Sequence, residues 1–270
     1  MSNLRRFTFT NNFQPIVESN FDITASWDMV NVYDTISFIN FVQNNGLSNV
    51  IVTDFRLVLN KLTCNMTADA FAFGLISLNI TIINKIGIIN NLSILSLANN
   101  LIEIFNPLIA LPSTLFRLDL GNNLITNFNP LIPLPENLEE LSLYSNQIVY
   151  FNPSISLPNK LKYLFLDNNK IVNFDPKIKL PNELKNLSLY SNQIISFNPS
   201  FDIPYFLETL SLDNNLMTLQ GYLDSETWAN NSAIKVIGLA GITFSNNVDS
   251  IENTSLKTIL ENKNWYVGGN

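Results

Sequence analysis

The sequence predicts a β-rich solenoid, an elongated stack of short parallel strands joined by return segments without helices. Two observations carry this prediction. The pattern Leu-x-x-Leu-x-Leu-x-x-Asn recurs at a constant spacing of 23 residues, and in the first five units at least two prolines follow it. The six copies of the pattern begin at Leu92, Leu115, Leu138, Leu161, Leu184 and Leu207.

The leucines and the asparagine of each unit have distinct physical roles. The leucine stretch forms a short strand with its apolar side chains pointing inward, and one such strand buries its apolar side only when neighbouring units stack on it. The asparagine follows where the chain turns away, and its side-chain amide can satisfy buried backbone groups of that turn. This predicts a ladder of structural asparagines at Asn100, Asn123, Asn146, Asn169, Asn192 and Asn215.

The second half of each unit carries a phenylalanine and the prolines. The phenylalanines are predicted to stack as an apolar spine on the wider side of the units. Prolines such as Pro153 and Pro158 exclude a helical return, so we expect an extended, helix-poor convex side. The spine residues are Phe105, Phe128, Phe151, Phe174 and Phe197.

Less regular segments flank the repeats. Two shorter strand frames are predicted at Leu59, Leu62 and Cys64 and at Leu75, Leu78 and Ile80. A last strand is predicted at Ile234, Ile237 and Leu239, after a single capped helical turn within residues 224–229. Cys64 is then a buried, leucine-like residue and not a reactive thiol.

Both ends of such a stack need covers, because an open end exposes the core and an unpaired strand edge. At the N-terminus we expect a helix from about Thr35 to Asn44, with Gly46 as its stop, and a strand at 50–52. At the C-terminus we expect a helix within 250–262 and a strand at 265–267. The predicted organisation is an N-terminal cap (1–58), short irregular repeats (59–91), regular repeats (92–219), and a last repeat with a C-terminal cap (220–270).

Composition limits the function. The chain has a net charge of −7 with 15 basic residues, which disfavours nucleic acid and anionic membrane surfaces as partners. It has no histidine and one cysteine, so the commonest general base and metal ligand are missing and no intramolecular disulfide can form. We therefore expect no enzymatic activity, no cofactor and no metal. We also expect no signal peptide and no transmembrane segment.

Residues that alternate with the core leucines should form a recognition surface on the concave face. Aromatic rings there supply rigid contact area, and carboxylates and hydroxyls orient a sugar or a peptide. The alternative is a solvated ladder in which the aromatics pair across strands for stability. Calcium is disfavoured, because the Asp-Asn-Asn loops offer too few free oxygens for six to eight ligands. The candidate ligand-binding residues are Glu140, Tyr144, Tyr163, Phe165, Asp167, Tyr190 and Asp213.

The unit Leu-x-x-Leu-x-Leu-x-x-Asn-x-Ile-x-x-Phe-Asn-Pro-x-Ile-x-Leu-Pro, which covers residues 92–206, resembles the leucine-rich-repeat superfamily. This resemblance implies a horseshoe with parallel strands on its concave face, α/β caps at both ends and ligand binding on that face. The Phe-Asn-Pro and Leu-Pro segments, together with the Leu-x-x-Ile-Leu…Trp-x-Val ending at 256–267, are similar to repeat proteins of tailed bacteriophages and their low-GC hosts. That narrower similarity implies a virion-associated or adhesive binding protein, such as part of a tail fibre.

Three functions stay open on the sequence. The chain is a non-enzymatic module that recognises a protein or glycan, a structural virion protein with the solenoid as decoration, or an intracellular protein-interaction module. Residues 1–58 are a simple lid in the first case and an attachment segment in the second. The sequence leaves open the ligand, the oligomeric state, the compartment (virion or cytoplasm), and whether the origin is viral or cellular.

Overall fold

A computed structural model describes residues 19–106, 110–200, 202–235 and 240–269. Within these ranges the protein is strand-rich, with two sheets and few helices. No helix in this part of the chain is long and apolar enough to span a membrane. The buried side chains of both sheets form one continuous hydrophobic core.

The first sheet covers the N-terminal end and is mainly antiparallel. The first six strands of the chain are β1 (Phe21–Thr24), β2 (Ser48–Val58), β3 (Lys61–Asp69), β4 (Ala72–Gly74, in the second sheet), β5 (Ile82–Ile86) and β6 (Ile88–Asn90). The order in the first sheet is β2-β3-β1-β5, and β6 pairs with β3 in parallel.

A short 3-10 helix (Trp27–Val30) and helix α1 (Thr35–Asn44) connect β1 to β2 and pack aromatic side chains against the sheet. Phe38 lies 5.2 Å from Phe21 and 6.0 Å from Trp27, ring centroid to ring centroid.

The predicted N-terminal helix is confirmed at Thr35–Asn44. Asp34 caps it, because the Asp34 Oδ1 accepts a hydrogen bond from the Ser37 N–H at 2.8 Å, and the Ser37 Oγ accepts one from the Asp34 N–H at 3.0 Å. The strand predicted at 50–52 is part of the longer β2.

The second sheet contains β4 and the remaining eight strands of the described residues, which are β7 (Ile94–Ser96), β8 (Arg117–Asp119), β9 (Glu140–Ser142), β10 (Tyr163–Phe165), β11 (Asn186–Ser188), β12 (Thr209–Ser211), β13 (Ala240–Thr243) and β14 (Trp265–Gly268). These nine strands are parallel, in the order β14-β13-β12-β11-β10-β9-β8-β7-β4. Successive strands of the regular units pair without a shift, so that Leu118 lies beside Leu141 and Leu141 beside Leu164. Residues 110–200 contain no helix, as the paired prolines predict. This arrangement is compatible with a solenoid-like fold.

The asparagine ladder is confirmed. Asn146 shows the pattern: its Nδ2 donates to the carbonyl oxygens of Leu120 at 3.0 Å, Leu143 at 3.0 Å and Tyr144 at 3.2 Å. Its Oδ1 accepts a hydrogen bond from the backbone N–H of Ile125 at 3.0 Å. All six predicted asparagines are buried and repeat these contacts between units.

The phenylalanine spine is also confirmed. Neighbouring rings are stacked within 13° of parallel, with centroids 6.1–6.4 Å apart, from Phe105 to Phe197. Each ring is at most 2% exposed. Trp228 ends the spine by packing against Phe197 in a T-shaped contact with centroids 4.8 Å apart.

The strand frame predicted at Leu59, Leu62 and Cys64 is wrong. These residues lie in the tight turn after β2 and in β3, which pairs antiparallel with β1 and β2 in the first sheet. Leu62 and Cys64 are nevertheless fully buried.

The strand predicted at Leu75, Leu78 and Ile80 lies earlier in the chain than expected, at β4. Strand β4 pairs Phe73 with Leu95, so Leu75 takes the third leucine position of the unit. Leu78 stands in the asparagine column and donates its backbone N–H to the Asn100 Oδ1 at 2.9 Å.

The prediction of a last strand at Ile234, Ile237 and Leu239 is also wrong. Ile237 and Leu239 lie outside the described residues, and Ile234 is 59% exposed and not in a strand. The strand that follows β12 in the parallel sheet is instead β13, in which Ile242 lies beside Leu210. The ladder continues there with Asn247, whose Nδ2 donates to the carbonyl oxygens of Leu212 at 3.1 Å and Phe244 at 2.7 Å.

The C-terminal cover is more helical than predicted. Where one helical turn was expected, α2 spans Leu219–Asn231 and is capped by the Thr218 side chain. Gly221 lets it pack closely, because a Cβ there would lie 1.9 Å from the Ile195 carbonyl oxygen. Helix α3 (Ser255–Asn262) and strand β14 fulfil the predictions for the C-terminal segment.

The thiol of Cys64 is predicted to be unreactive in the folded protein. Its side chain is fully buried, and burial raises its pKa to about 12, so the thiolate is scarce at neutral pH. We expect no labelling by a thiol reagent such as 5,5′-dithiobis(2-nitrobenzoate) at pH 8 and complete labelling in denaturant. Rapid labelling of the native protein would contradict this placement.

Candidate functional site: the open face of the parallel sheet

Side chains that alternate with the buried leucines emerge from the opposite side of the parallel sheet. We call this side the open face. It is formed by strand residues such as Tyr163 and Phe165 and by the residue two positions after each strand, such as Tyr144. All seven sequence-predicted binding residues lie on it, in β9 to β12 and the turns that follow these strands. The sheet therefore brings them into columns, in which equivalent positions on neighbouring strands lie about 5 Å apart.

Tyr163 and Phe165 form an aromatic pair on β10. Their rings are stacked at a 10° angle with centroids 6.5 Å apart. Tyr163 lies beside Glu140 on one neighbouring strand and Asn186 on the other, and it is 39% exposed. The pair presents rigid apolar area in the middle of the open face.

Tyr144 and Tyr190 lean in opposite directions. Tyr144 lies over Gly121 of the preceding unit, where a Cβ would come within 2.1 Å of its ring, and its hydroxyl accepts a hydrogen bond from the Asn122 Nδ2 at 3.2 Å. The Tyr190 hydroxyl accepts one from the Asn214 Nδ2 of the following unit at 2.6 Å. Each ring is thus tilted away from the unit between them.

Asp167 occupies the turn between these tyrosines. Its carboxylate is half-buried and accepts a hydrogen bond from the Ser188 Oγ. Burial raises the pKa of this carboxyl above its ordinary value, and the Ser188 hydroxyl partly offsets that shift. A half-buried carboxylate with one side-chain donor retains oxygen lone pairs for a further donor.

Glu140 and Asp213 are engaged by the fold itself. The Glu140 Oε1 lies 3.3 Å from the Arg117 Nε of the preceding strand. Asp213 accepts hydrogen bonds from the hydroxyls of Ser211 and Thr243 and from the backbone N–H of Ser245. These two carboxylates are therefore occupied by contacts within the sheet.

The described residues contain no group of three or more His, Cys, Asp or Glu side chains placed to hold a metal ion. The sequence matches no protein-family model and no curated protein. The clearest chemical grouping on the open face is the set of four aromatic residues around Asp167, namely Tyr144, Tyr163, Phe165 and Tyr190.

Proposed function

We propose that the chain is a leucine-rich-repeat solenoid that binds a protein or a glycan through its open face, without catalysing a reaction. The 23-residue period, the asparagine ladder and the phenylalanine spine support the repeat assignment. The grouping of Tyr144, Tyr163, Phe165, Asp167 and Tyr190 supports the binding role.

One observation carries the proposal: the two flanking tyrosines tilt away from Asp167. Their parent strands, β9 and β11, are two positions apart, which separates the tyrosine Cα atoms by about 10 Å. This opening suits one sugar ring or one amino-acid side chain, with Asp167 beneath it and Phe165 beside it. Hydrogen bonds from Asn122 and Asn214 hold the tyrosine hydroxyls in place, so less conformational entropy is lost on binding.

The chemistry of this opening matches hydroxyl or ammonium groups. The Asp167 carboxylate accepts hydrogen bonds from either, and tyrosine rings pack on the C–H face of a sugar or attract a lysine or arginine cation. The resemblance of the Phe-Asn-Pro and Leu-Pro segments to bacteriophage repeat proteins leads us to propose a virion or adhesive component as the context. Mass spectrometry of purified virions would test that context, because a packaged protein is recovered with the particle.

The double substitution Tyr144→Ala with Tyr190→Ala is expected to weaken ligand binding at least about tenfold. Tyrosines that become buried on binding commonly contribute a large share of the binding free energy. Binding would be measured on a glycan array and by pull-down from host cells, with the affinity for each captured ligand compared between wild type and variant. Tyr150→Ala is the matched control, because Tyr150 is 66% exposed and lies outside the strands. Equal binding by the wild type and the double variant would show that the open face is not the binding surface.

A further inference from the structure

A cavity of about 680 Å³ lies between the last proline-containing return segment and the C-terminal half of α2, away from the open face. The return segment contributes Asn198, Pro199 and Tyr205, and the helix contributes Trp228 and Asn231. Its volume falls in the range of small-molecule sites, about 300–1,000 Å³.

The cavity forms where a second ladder of side chains ends. In each earlier unit the residue after the spine phenylalanine accepts a hydrogen bond from the backbone N–H of a residue 25 positions later, in the next unit. The bonds join Asn106 to Leu131, Asn129 to Ser154, Asn152 to Lys177 and Asp175 to Ser200, at 2.7–3.1 Å. Asn198 is the next member, and the residue 25 positions on, Leu223, lies within α2. Within the described chain, the exposed Asn198 side chain has no hydrogen-bond partner.

Trp228 lines the same cavity, and its indole carries a hydrogen-bond donor without a partner. The residue is 5% exposed because it packs on Phe197 at the end of the spine. Its Nε1 is buried and has no acceptor among the described residues. A buried N–H without an acceptor is unfavourable, so a small shift of the indole that brings this N–H to a ligand oxygen would gain binding free energy.

The lining favours a neutral, hydroxyl-rich ligand. Asn182, Asn198 and Asn231 supply amides, which both donate and accept hydrogen bonds, as hydroxyl groups do. The single lysine and single aspartate of the lining have opposite charges, so neither an anion nor a cation is selected overall. Pro199 and Tyr205 add apolar faces that suit the C–H side of a sugar ring.

We propose that this cavity is a saccharide-binding site for one or two neutral sugar rings. It is separate from the open face and does not depend on the function proposed for that face. The Trp228 N–H and the amides of Asn198 and Asn231 bind the sugar hydroxyls, and Tyr205, 53% exposed, covers the ring at the rim.

The test is saturation-transfer difference NMR with the full chain and a panel of defined sugars. The probes are methyl glucoside, methyl galactoside, methyl mannoside, N-acetylglucosamine, maltose, lactose and N,N′-diacetylchitobiose, each at about 10 mM to detect millimolar affinity. The variants are Trp228→Phe, which keeps an aromatic ring against Phe197 but removes the N–H, and Asn231→Ala. Asn230→Ala is the matched control, because Asn230 is exposed on the same helix end and does not line the cavity.

At least one sugar is expected to give a signal that falls about threefold or more in Asn231→Ala and Trp228→Phe, as expected for loss of one neutral hydrogen bond. The signal should persist in Asn230→Ala and in the Tyr144→Ala, Tyr190→Ala double variant. Asn231 is exposed, so its variant tests the site even where Trp228→Phe does not fold. Absence of a signal for every sugar would overturn the proposal, as would a signal that Asn231→Ala leaves unchanged. A signal lost only in the tyrosine double variant would assign the sugar to the open face and would also overturn it.

Discussion

Replacing Asn146 with alanine is expected to lower the free energy of unfolding by about 3–5 kcal/mol. The Asn146 amide satisfies three backbone carbonyl oxygens, one of them in the preceding unit, and the backbone N–H of Ile125. Asn146 is only 7% exposed, so water cannot readily replace these hydrogen bonds. Alanine leaves the backbone groups buried and partly unpaired, and each such group costs about 1–3 kcal/mol.

Urea denaturation followed by circular dichroism would measure this loss. Asn159→Ala is the matched control, because Asn159 is exposed in a turn and its side chain makes no hydrogen bond within the described part of the chain. We expect the control to change stability by less than about 0.5 kcal/mol. A similar small change for Asn146→Ala would mean that the ladder adds little to stability.

The regular part of the fold was predictable because each column of the repeat has one physical role. A leucine such as Leu141 must be buried wherever the units stack, and an asparagine such as Asn146 is small and polar enough to bridge their turns. The structure places both as expected, with Leu141 fully buried. Helix α1 was predictable for a local reason, since the Asp34 and Ser37 side chains cap its first turn.

The ends of the parallel sheet were not predictable from leucine spacing. At the first strand Phe73 takes a leucine position, and at the β13 strand Phe244 follows Ile242 in the same frame. The second case still carried a signal, because Asn247 stands five residues after Ile242 as Asn215 stands after Leu210. The insertion of α2 changes the spacing there, so a search for a constant period misses it.

The open face was predictable as a set of residues but not as a site. Alternation along the strands places Tyr144, Asp167 and Tyr190 in one column. It does not show that Tyr144 lies over Gly121, or that Asp213 is held by Thr243 more than 25 residues away in sequence. These contacts depend on neighbouring units, so they appear only once the units are assembled.

The cavity beside α2 had no sequence signal of this kind. It depends on a helix replacing a return segment, and the helix was predicted as one turn. The sequence indicates only that Asn198 belongs to the last Phe-Asn-Pro segment, because no further unit of this type follows it.

Replacing Phe151 with alanine is expected to lower the free energy of unfolding by about 3–5 kcal/mol. The ring is 2% exposed and stacks on both neighbours in the spine, with centroids 6.3 Å from Phe128 and 6.1 Å from Phe174. Alanine removes this buried area and leaves a cavity between two units. Phe151→Leu keeps much of the volume but loses both stacked pairs, so we expect a smaller loss of about 1–2 kcal/mol.

Tyr150→Ala is the matched control for the spine, because the preceding residue is 66% exposed and its loss should change stability by less than about 0.5 kcal/mol. The location of the effect is as informative as its size. In a stack where each unit contacts only its neighbours, the loss at Phe151 should raise amide hydrogen exchange mainly in the adjacent units, around Phe128 and Phe174. Equal acceleration throughout the chain, including the N-terminal sheet, would show that the protein unfolds as one cooperative block. In that case the spine would stabilise the whole molecule and not only the junctions between units.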